Sequence, residues 1–137
     1  MASQQTSPSR NRPEDGRAYS PTVTISNHMV RLLARYVGRG PTKARTTLAN
    51  NLVVVTFGET MTRAEENLVA AGEGEAVASM RRVFKATMRN EAVGIIEETL
   101  ARPVIAYLAD IDTTANIALI AFVLAPLASE NVDGSHA

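Results

Sequence analysis

The 137-residue chain lacks cysteine and tryptophan, has only two histidines, and carries no net charge, with fourteen basic and fourteen acidic residues. Without cysteine there is no disulfide framework, no thiolate metal site and no thiol nucleophile. Three tyrosines and three phenylalanines leave little for stacking on nucleic-acid bases. We therefore expect no metal site and no cofactor. Apolar residues still make up 45% of the chain, which is typical of a globular domain.

Both ends of the chain are poor in apolar residues, so the sequence predicts one central domain. Residues 1–24 are rich in Ser, Gln, Pro and Arg and predict a disordered tail. Residues 25–127 form the predicted domain, and residues 128–137 a flexible tail. The apolar stretch 117–128 is well short of the roughly 20 residues that a membrane-spanning helix needs. We expect a cytoplasmic protein that reaches a membrane only through a partner.

The spacing of apolar residues predicts seven elements in the order α-ββ-α-α-ββ. This order predicts an α+β fold in which a four-stranded, mostly antiparallel sheet packs against helices. The predicted elements are a helix at 27–37, strands at 43–49 and 52–57, a short helix from 62 to about 71, a long helix at 75–101 with a bend or break near 90–94, and strands at 104–109 and 117–124.

Local signals add detail to this prediction. Ser26 or Asn27 supplies the N-cap of the first helix, and Thr62 with Glu65 forms a capping box at the second. Asn50-Asn51 suits a two-residue hairpin turn. The buried stripe of the long helix is predicted to be Val77, Met80, Phe84, Met88, Ala92, Ile95 and Leu100. The run of valines at 53–55 indicates that both faces of its strand are partly covered.

Basic residues cluster in two places, and these are the candidate binding residues. The first is the segment Gly38–Arg45, where Arg39, Gly40, Lys43 and Arg45 are predicted to bind an anion or an acidic partner. The second is Arg81, Lys85 and Arg89, which are four residues apart and share one helix face. The central hypothesis is that the two groups converge.

Each group also has a simpler interpretation. The glycines would end the first helix, with a solvated strand after them. The helical stripe would be a solvated face, paired with Glu65, Glu66 or Glu73 at the surface, where an ion pair contributes less than about 1 kcal/mol. Asp110 and Asp112 are interpreted as part of a hairpin turn rather than as cation ligands, since the acids and the glycine of an EF-hand loop are missing.

No nucleophile with a partner base is found, so we predict no catalytic residues and no enzymatic activity. One alternative is an enzyme with an arginine-lined pocket for a carboxylate or phosphate, in which His28 or Glu59 would be the base. Another is a nucleic-acid-associated regulator, although the shortage of aromatic residues argues against nucleic acid as a partner. A homodimer is a further expectation, because unpaired strand edges favour association.

Segments at 25–31, 38–45, 52–55, 61–65 and 72–84 together resemble the MpsC family of small bacterial proteins. The most specific of them is Gly-Arg-Gly-Pro-Thr-Lys-Ala-Arg at 38–45. The resemblance implies an accessory or regulatory protein of a Na⁺-translocating, membrane-potential-generating system or of an inorganic-carbon transporter, with a membrane transporter subunit as partner. Asn50-Asn51 departs from the more acidic turn that we expect in the family.

Overall fold

The computed structural model describes residues 20–38 and 43–127, which form three helices and four strands. Their order is α-ββ-α-α-ββ, so the predicted α+β fold is confirmed. The elements are α1 (Pro21–Val37), β1 (Lys43–Ala49), β2 (Leu52–Gly58), α2 (Arg63–Ala70), α3 (Gly74–Leu100), β3 (Val104–Asp112) and β4 (Ile117–Leu124).

The two hairpins join into one antiparallel sheet with the order β1-β2-β4-β3. The first hairpin turns at Asn50, whose φ of 54° lies in the left-handed region that Asn tolerates better than most residues. The central pair is β2 and β4, which run side by side from Leu52–Val123 to Gly58–Ile117. Because α2, α3 and β3 lie between them in the chain, only tertiary packing brings these strands together. β1 and β3 are the edges.

Helices α1 and α3 pack against each other and cover one face of the sheet. Successive strand residues point to opposite faces, so alternate residues enter the core. These core residues are Val53, Val55 and Phe57 of β2, Ile120, Phe122 and Leu124 of β4, Ile25, Met29 and Leu32 of α1, and Met88, Ala92 and Ile96 of α3. The helices therefore bury a single apolar layer against the sheet.

No described helix covers the other face of the sheet, which we call the open face. Its alternate residues include Leu52, Leu108 and Ile117, which are 43%, 57% and 49% exposed. Val54, in the middle of the valine run of β2, is half-buried on this face. Among the described residues, helices therefore cover β2 on one face only, whereas the sequence predicts partial cover of both faces.

Helix α1 begins at Pro21, six residues before the predicted start, so the N-caps proposed at Ser26 and Asn27 are wrong. Proline suits the first helical position because its missing N–H is not needed there. Ile25 lies inside the helix and is fully buried, and the Ser26 hydroxyl bonds to that of Thr46 at 2.7 Å. The tail boundary predicted at residue 24 falls within α1, while residues 1–19 and 128–137 lie outside the described part.

Helix α3 is a single helix of 27 residues that continues through Asn90–Gly94, so the break predicted there is absent. Val77, Met88 and Ala92 are buried as predicted, but Met80 is 39% exposed. The buried stripe passes through Arg81 instead. Position 81 is one helical turn after Val77 on the same face, so a charged residue occupies the buried stripe.

Candidate functional site

The sheet separates the predicted binding residues into two groups. Lys43 and Arg45 lie on the open face of β1, because Ala44 between them packs on the core. Arg81, Lys85 and Arg89 lie on α3, on the covered side, where α3 packs against α2 and β3. The described members of the two groups therefore do not converge. Arg39 and Gly40 lie outside the described residues, and Gly38 ends α1 in the left-handed conformation, with its N–H bonded to the Ala34 carbonyl.

Arg81 forms a buried, two-pronged ion pair with Glu65. Its Nε and Nη2 atoms donate to the two carboxylate oxygens of Glu65 at 2.9 and 2.8 Å, and Nη2 also donates to the Thr60 carbonyl at 2.8 Å. The side chains are 7% and 4% exposed. The simpler interpretation, a solvated pair at the surface, is wrong for Arg81, because the guanidinium joins α3 to the chain around α2 in the interior.

Glu65 has a second role in the same place. Its Oε1 accepts the Thr62 N–H at 2.8 Å, and the Thr62 hydroxyl accepts the Glu65 N–H at 3.1 Å, so the predicted capping box is confirmed. Burial by itself raises the pKa of Glu65, but the hydrogen bonds from Arg81 and Thr62 outweigh burial and hold the pKa below its usual value. The carboxylate is therefore ionised at neutral pH, and its partners are all within the chain.

Lys85 and Arg89 connect α3 to the edge strand β3. The Lys85 ammonium donates to the Ala109 carbonyl at 3.0 Å, and the Arg89 guanidinium lies 5.6 Å from the centre of the Tyr107 ring. The Tyr107 hydroxyl donates to the Lys85 carbonyl at 3.1 Å. Burial raises the pKa of Tyr107 to about 12, an effect that Arg89 partly offsets. These cations make contacts within the fold, although Arg89 remains exposed.

The cavity beneath these residues is too small for a substrate. It lies between α3 and the sheet, is lined mainly by apolar groups such as Met88 and Ile120, and has a volume of about 40 Å³. Small-molecule sites usually have volumes of about 300–1,000 Å³, so this space fits little more than ordered water. Among the described residues, no group of three or more His, Asp or Glu side chains could hold a metal ion.

A larger groove, which no local sequence pattern predicts, lies between α1 and α3. It has a volume of about 620 Å³ and is lined by His28, Arg31 and Glu98 among others. Glu91 in this groove accepts hydrogen bonds from Tyr36 at 2.6 Å and from Arg35 at 2.8 Å. These two bonds hold the pKa of Glu91 below its usual value. His28 and Glu59 are the two candidate bases of the enzyme alternative. His28 lies on the covered side of the sheet, whereas Glu59 directly follows Gly58, which pairs with Lys43 in the sheet.

The side chains of Lys43 and Arg45 are exposed and have no ion pair, hydrogen bond or ring contact among the described residues. Arg89, which is also exposed, differs from them because its guanidinium lies over the Tyr107 ring. Lys43 packs over Gly58, where an added Cβ would lie 3.7 Å from that of Lys43. Thr56 and Ile117 line the same open groove of about 490 Å³.

The register of the sheet places two acidic residues at the far edge of the same face. Arg45 pairs with Thr56, Thr56 with Leu119, and Leu119 with Asp110. The neighbouring row runs Lys43, Gly58, Ile117 and Asp112. Asp110 and Asp112 belong to β3, and the turn itself follows at residues 113–116. The open face therefore has a positive edge and a negative edge, an arrangement that depends on the non-local pairing of β2 with β4.

The model of one protein family, MpsC, matches residues 21–126, from the first residue of α1 to just beyond β4. The chain belongs to the MpsC family. The family is described as the Na⁺-translocating membrane potential-generating system, so the predicted resemblance is confirmed over most of the chain. Neither the curated proteins nor the solved structures give a significant match. None of the helices in residues 20–38 and 43–127 is long and apolar enough to cross a membrane.

Proposed function

We propose that this MpsC protein is a non-catalytic accessory or regulatory component of a Na⁺-translocating, membrane-potential-generating system. In this role it binds an acidic group, either a small anion or an acidic segment of a partner, through Lys43 and Arg45. Family membership supports the association with the system. The cytoplasmic location predicted from the composition belongs to the same proposal and is tested by cell fractionation.

The observation that carries the proposal is the pair of unpartnered cations on β1. Lys43 and Arg45 are two residues apart on one face of an edge strand, which spaces them by roughly 7 Å. An arginine fork and a neighbouring ammonium suit a carboxylate or a phosphate. By contrast, Arg81 is bound to Glu65, and Lys85 and Arg89 contact β3. Of the predicted binding residues that the structure describes, Lys43 and Arg45 on β1 are therefore the ones that remain available to bind an acidic group.

The composition of the open face favours an acidic group of a protein or a small anion over single-stranded nucleic acid. Its sixteen positions, four from each strand, include no aromatic residue. Sequence-tolerant binding of single strands relies on aromatic rings that stack on bases. A nucleic-acid regulator would also show affinity that falls steeply with salt, which a gel-shift series at increasing salt measures.

The proposal is tested by a double variant with a matched control. We expect Lys43→Ala/Arg45→Ala to lose binding of phosphate, bicarbonate or nucleotide in isothermal titration, or capture of a partner from native membranes. The control Arg31→Ala/Arg63→Ala removes the same charge from exposed positions on α1 and α2 and should bind like the wild type.

Two results would overturn the proposal. One is that the wild type binds none of these anions and captures no partner. The other is equal binding by the wild type and the Lys43/Arg45 variant. Loss of binding in the control alone would instead assign the site to Arg31, which lines the α1–α3 groove, or to Arg63 on α2.

A further inference from the structure

We propose that the open face of the sheet binds the open face of a second copy of this chain, with Lys43 and Arg45 of each copy facing Asp112 and Asp110 of the other. This inference rests on the proposed binding of an acidic group by Lys43 and Arg45, and it names that group. The arrangement forms a two-fold dimer of two face-to-face sheets, with the axis parallel to the strands.

The centre of the open face has the composition of a buried surface. An antiparallel sheet with one solvated face usually carries polar residues there. Six of the eight open-face positions of the two central strands are apolar instead. They are Leu52 and Val54 of β2 and Ile117, Leu119, Ala121 and Val123 of β4. Leu108 of β3 extends the patch and is 57% exposed. A contiguous apolar patch with a charged rim is typical of a protein-protein interface.

The charges select one orientation of a second copy. A two-fold axis along the strands places β1 of one copy over β3 of the other and keeps each row of the sheet opposite itself. Arg45 then faces Asp110, and Lys43 faces Asp112, twice in each dimer. An axis across the strands would instead place β1 over β1 and would leave all four charges without opposite partners. Such rim charges fix orientation more than they add affinity.

The carboxylates of Asp110 and Asp112 are available to bind Arg45 and Lys43 of a second copy. Asp110 Oδ1 accepts the N–H of Ile111, and Asp112 Oδ1 accepts the N–H of Ala115, both at 2.8 Å. The second oxygen of each carboxylate has no partner among the described residues. Stacked sheets lie about 10 Å apart, a gap that a long Lys or Arg side chain bridges to a short Asp.

The same axis also pairs large side chains with small ones. Gly58 of one copy faces Ile117 of the other, and Val54 faces Ala121. Gly58 has no side chain on this face, and a Cβ added there would meet only the flexible Lys43 side chain, at 3.7 Å. Facing large and small residues lets two sheets interdigitate. The shape and the charge of the open face therefore select the same orientation.

The size of the face predicts a reversible dimer. Four strands of seven to nine residues form a surface of roughly 20 by 25 Å. Two such surfaces bury about 1,000 Å² in total, near the lower limit for a specific interface. We therefore expect dissociation on dilution rather than a permanent dimer.

The test reverses one charge on each edge. Sedimentation velocity of the wild type over a range of concentrations should show a shift from 14.7 kDa to twice that mass. Arg45→Glu and Asp110→Lys should each weaken the dimer at least about tenfold, because each places like charges opposite each other twice. An equimolar mixture of the two variants should dimerise again, as should the chain that carries both changes. The controls Arg63→Glu and Glu66→Lys alter exposed charges on α2 and should dimerise like the wild type.

A wild type that stays monomeric at every concentration would overturn the inference, as would a mixture that fails to associate when both variants are folded by circular dichroism. The proposed function is tested separately. Asp110→Lys keeps Lys43 and Arg45, so it should lose the dimer and still bind phosphate or a membrane partner. If the wild type is monomeric and yet loses ligand binding in Lys43→Ala/Arg45→Ala, the inference fails and the proposed function stands.

Discussion

Replacing Arg81 with methionine would remove a buried guanidinium and leave its partners in place. The variant keeps a long side chain on α3, but the Glu65 carboxylate, 4% exposed, loses its counter-charge and the Thr60 carbonyl loses a donor. Removing one partner of a buried ion pair costs about 3–5 kcal/mol. Domains of this kind are stabilised by only about 5–15 kcal/mol. Arg81→Met should therefore remove a large share of the free energy of unfolding.

The size of this loss should depend on pH, because Glu65 changes its protonation. In the wild type the pKa of Glu65 lies below its usual value, so the pair stabilises the fold at neutral pH and this contribution is lost as the pH falls through the folded-state pKa. In Arg81→Met burial acts without the guanidinium and raises the pKa of Glu65. Protonation then relieves part of the penalty, so the stability gap should narrow from pH 7 to pH 4.

Urea unfolding followed by circular dichroism at both pH values measures this gap. Arg82→Met is the matched control: Arg82 is 49% exposed and pairs with Glu75 at the surface, so its loss should cost less than about 1 kcal/mol. Adding Glu65→Gln to Arg81→Met removes the buried charge but keeps an acceptor for the capping box and should recover part of the stability. A loss in Arg81→Met no larger than in Arg82→Met, or a gap that is equal at both pH values, would refute the reasoning.

Three further predictions follow from single contacts. Thr62→Ala removes the hydroxyl that accepts the Glu65 N–H and should lower the free energy of unfolding by about 1 kcal/mol, measured in urea; Thr62→Ser should restore most of it. Asn50→Ala removes the short polar side chain that lets Asn adopt the left-handed conformation and should cost up to about 1–2 kcal/mol, whereas Asn50→Gly should cost nothing, so equal thermal stability of the two would contradict the assigned turn. Tyr107 should ionise near pH 12 in an ultraviolet titration, and Tyr107→Phe should remove that step. Because burial raises the folded-state pKa of Tyr107, the protonated side chain stabilises the fold fully below the unfolded-state pKa near 10, and this stabilisation declines above it. A tyrosine titration that is complete by pH 10.5 in the folded protein would contradict the burial of Tyr107.

The secondary structure could be predicted from the sequence wherever the signal is local. β1, β4 and the Thr62 capping box match the predicted positions, because strand alternation, β-branched residues and capping act within a few residues. The start of α1 was missed for a local reason as well, since two polar residues inside the helix were interpreted as caps. Ser26 there bonds to Thr46 of β1, a contact that no helical pattern contains.

The candidate site could be predicted only in part, because the spacing of residues along a helix or strand predicts which side chains share a face but not what that face contacts. The sequence by itself determined that Arg81, Lys85 and Arg89 share a face of α3, and that Lys43 and Arg45 share a face of β1. The tertiary structure alone decided that one face packs against Glu65 and β3 while the other stays open. It also decided that Asp110 lies across the sheet from Arg45, since this requires the pairing of β2 with β4. Contacts between distant segments depend on how the whole chain packs, and no local pattern of residues encodes them.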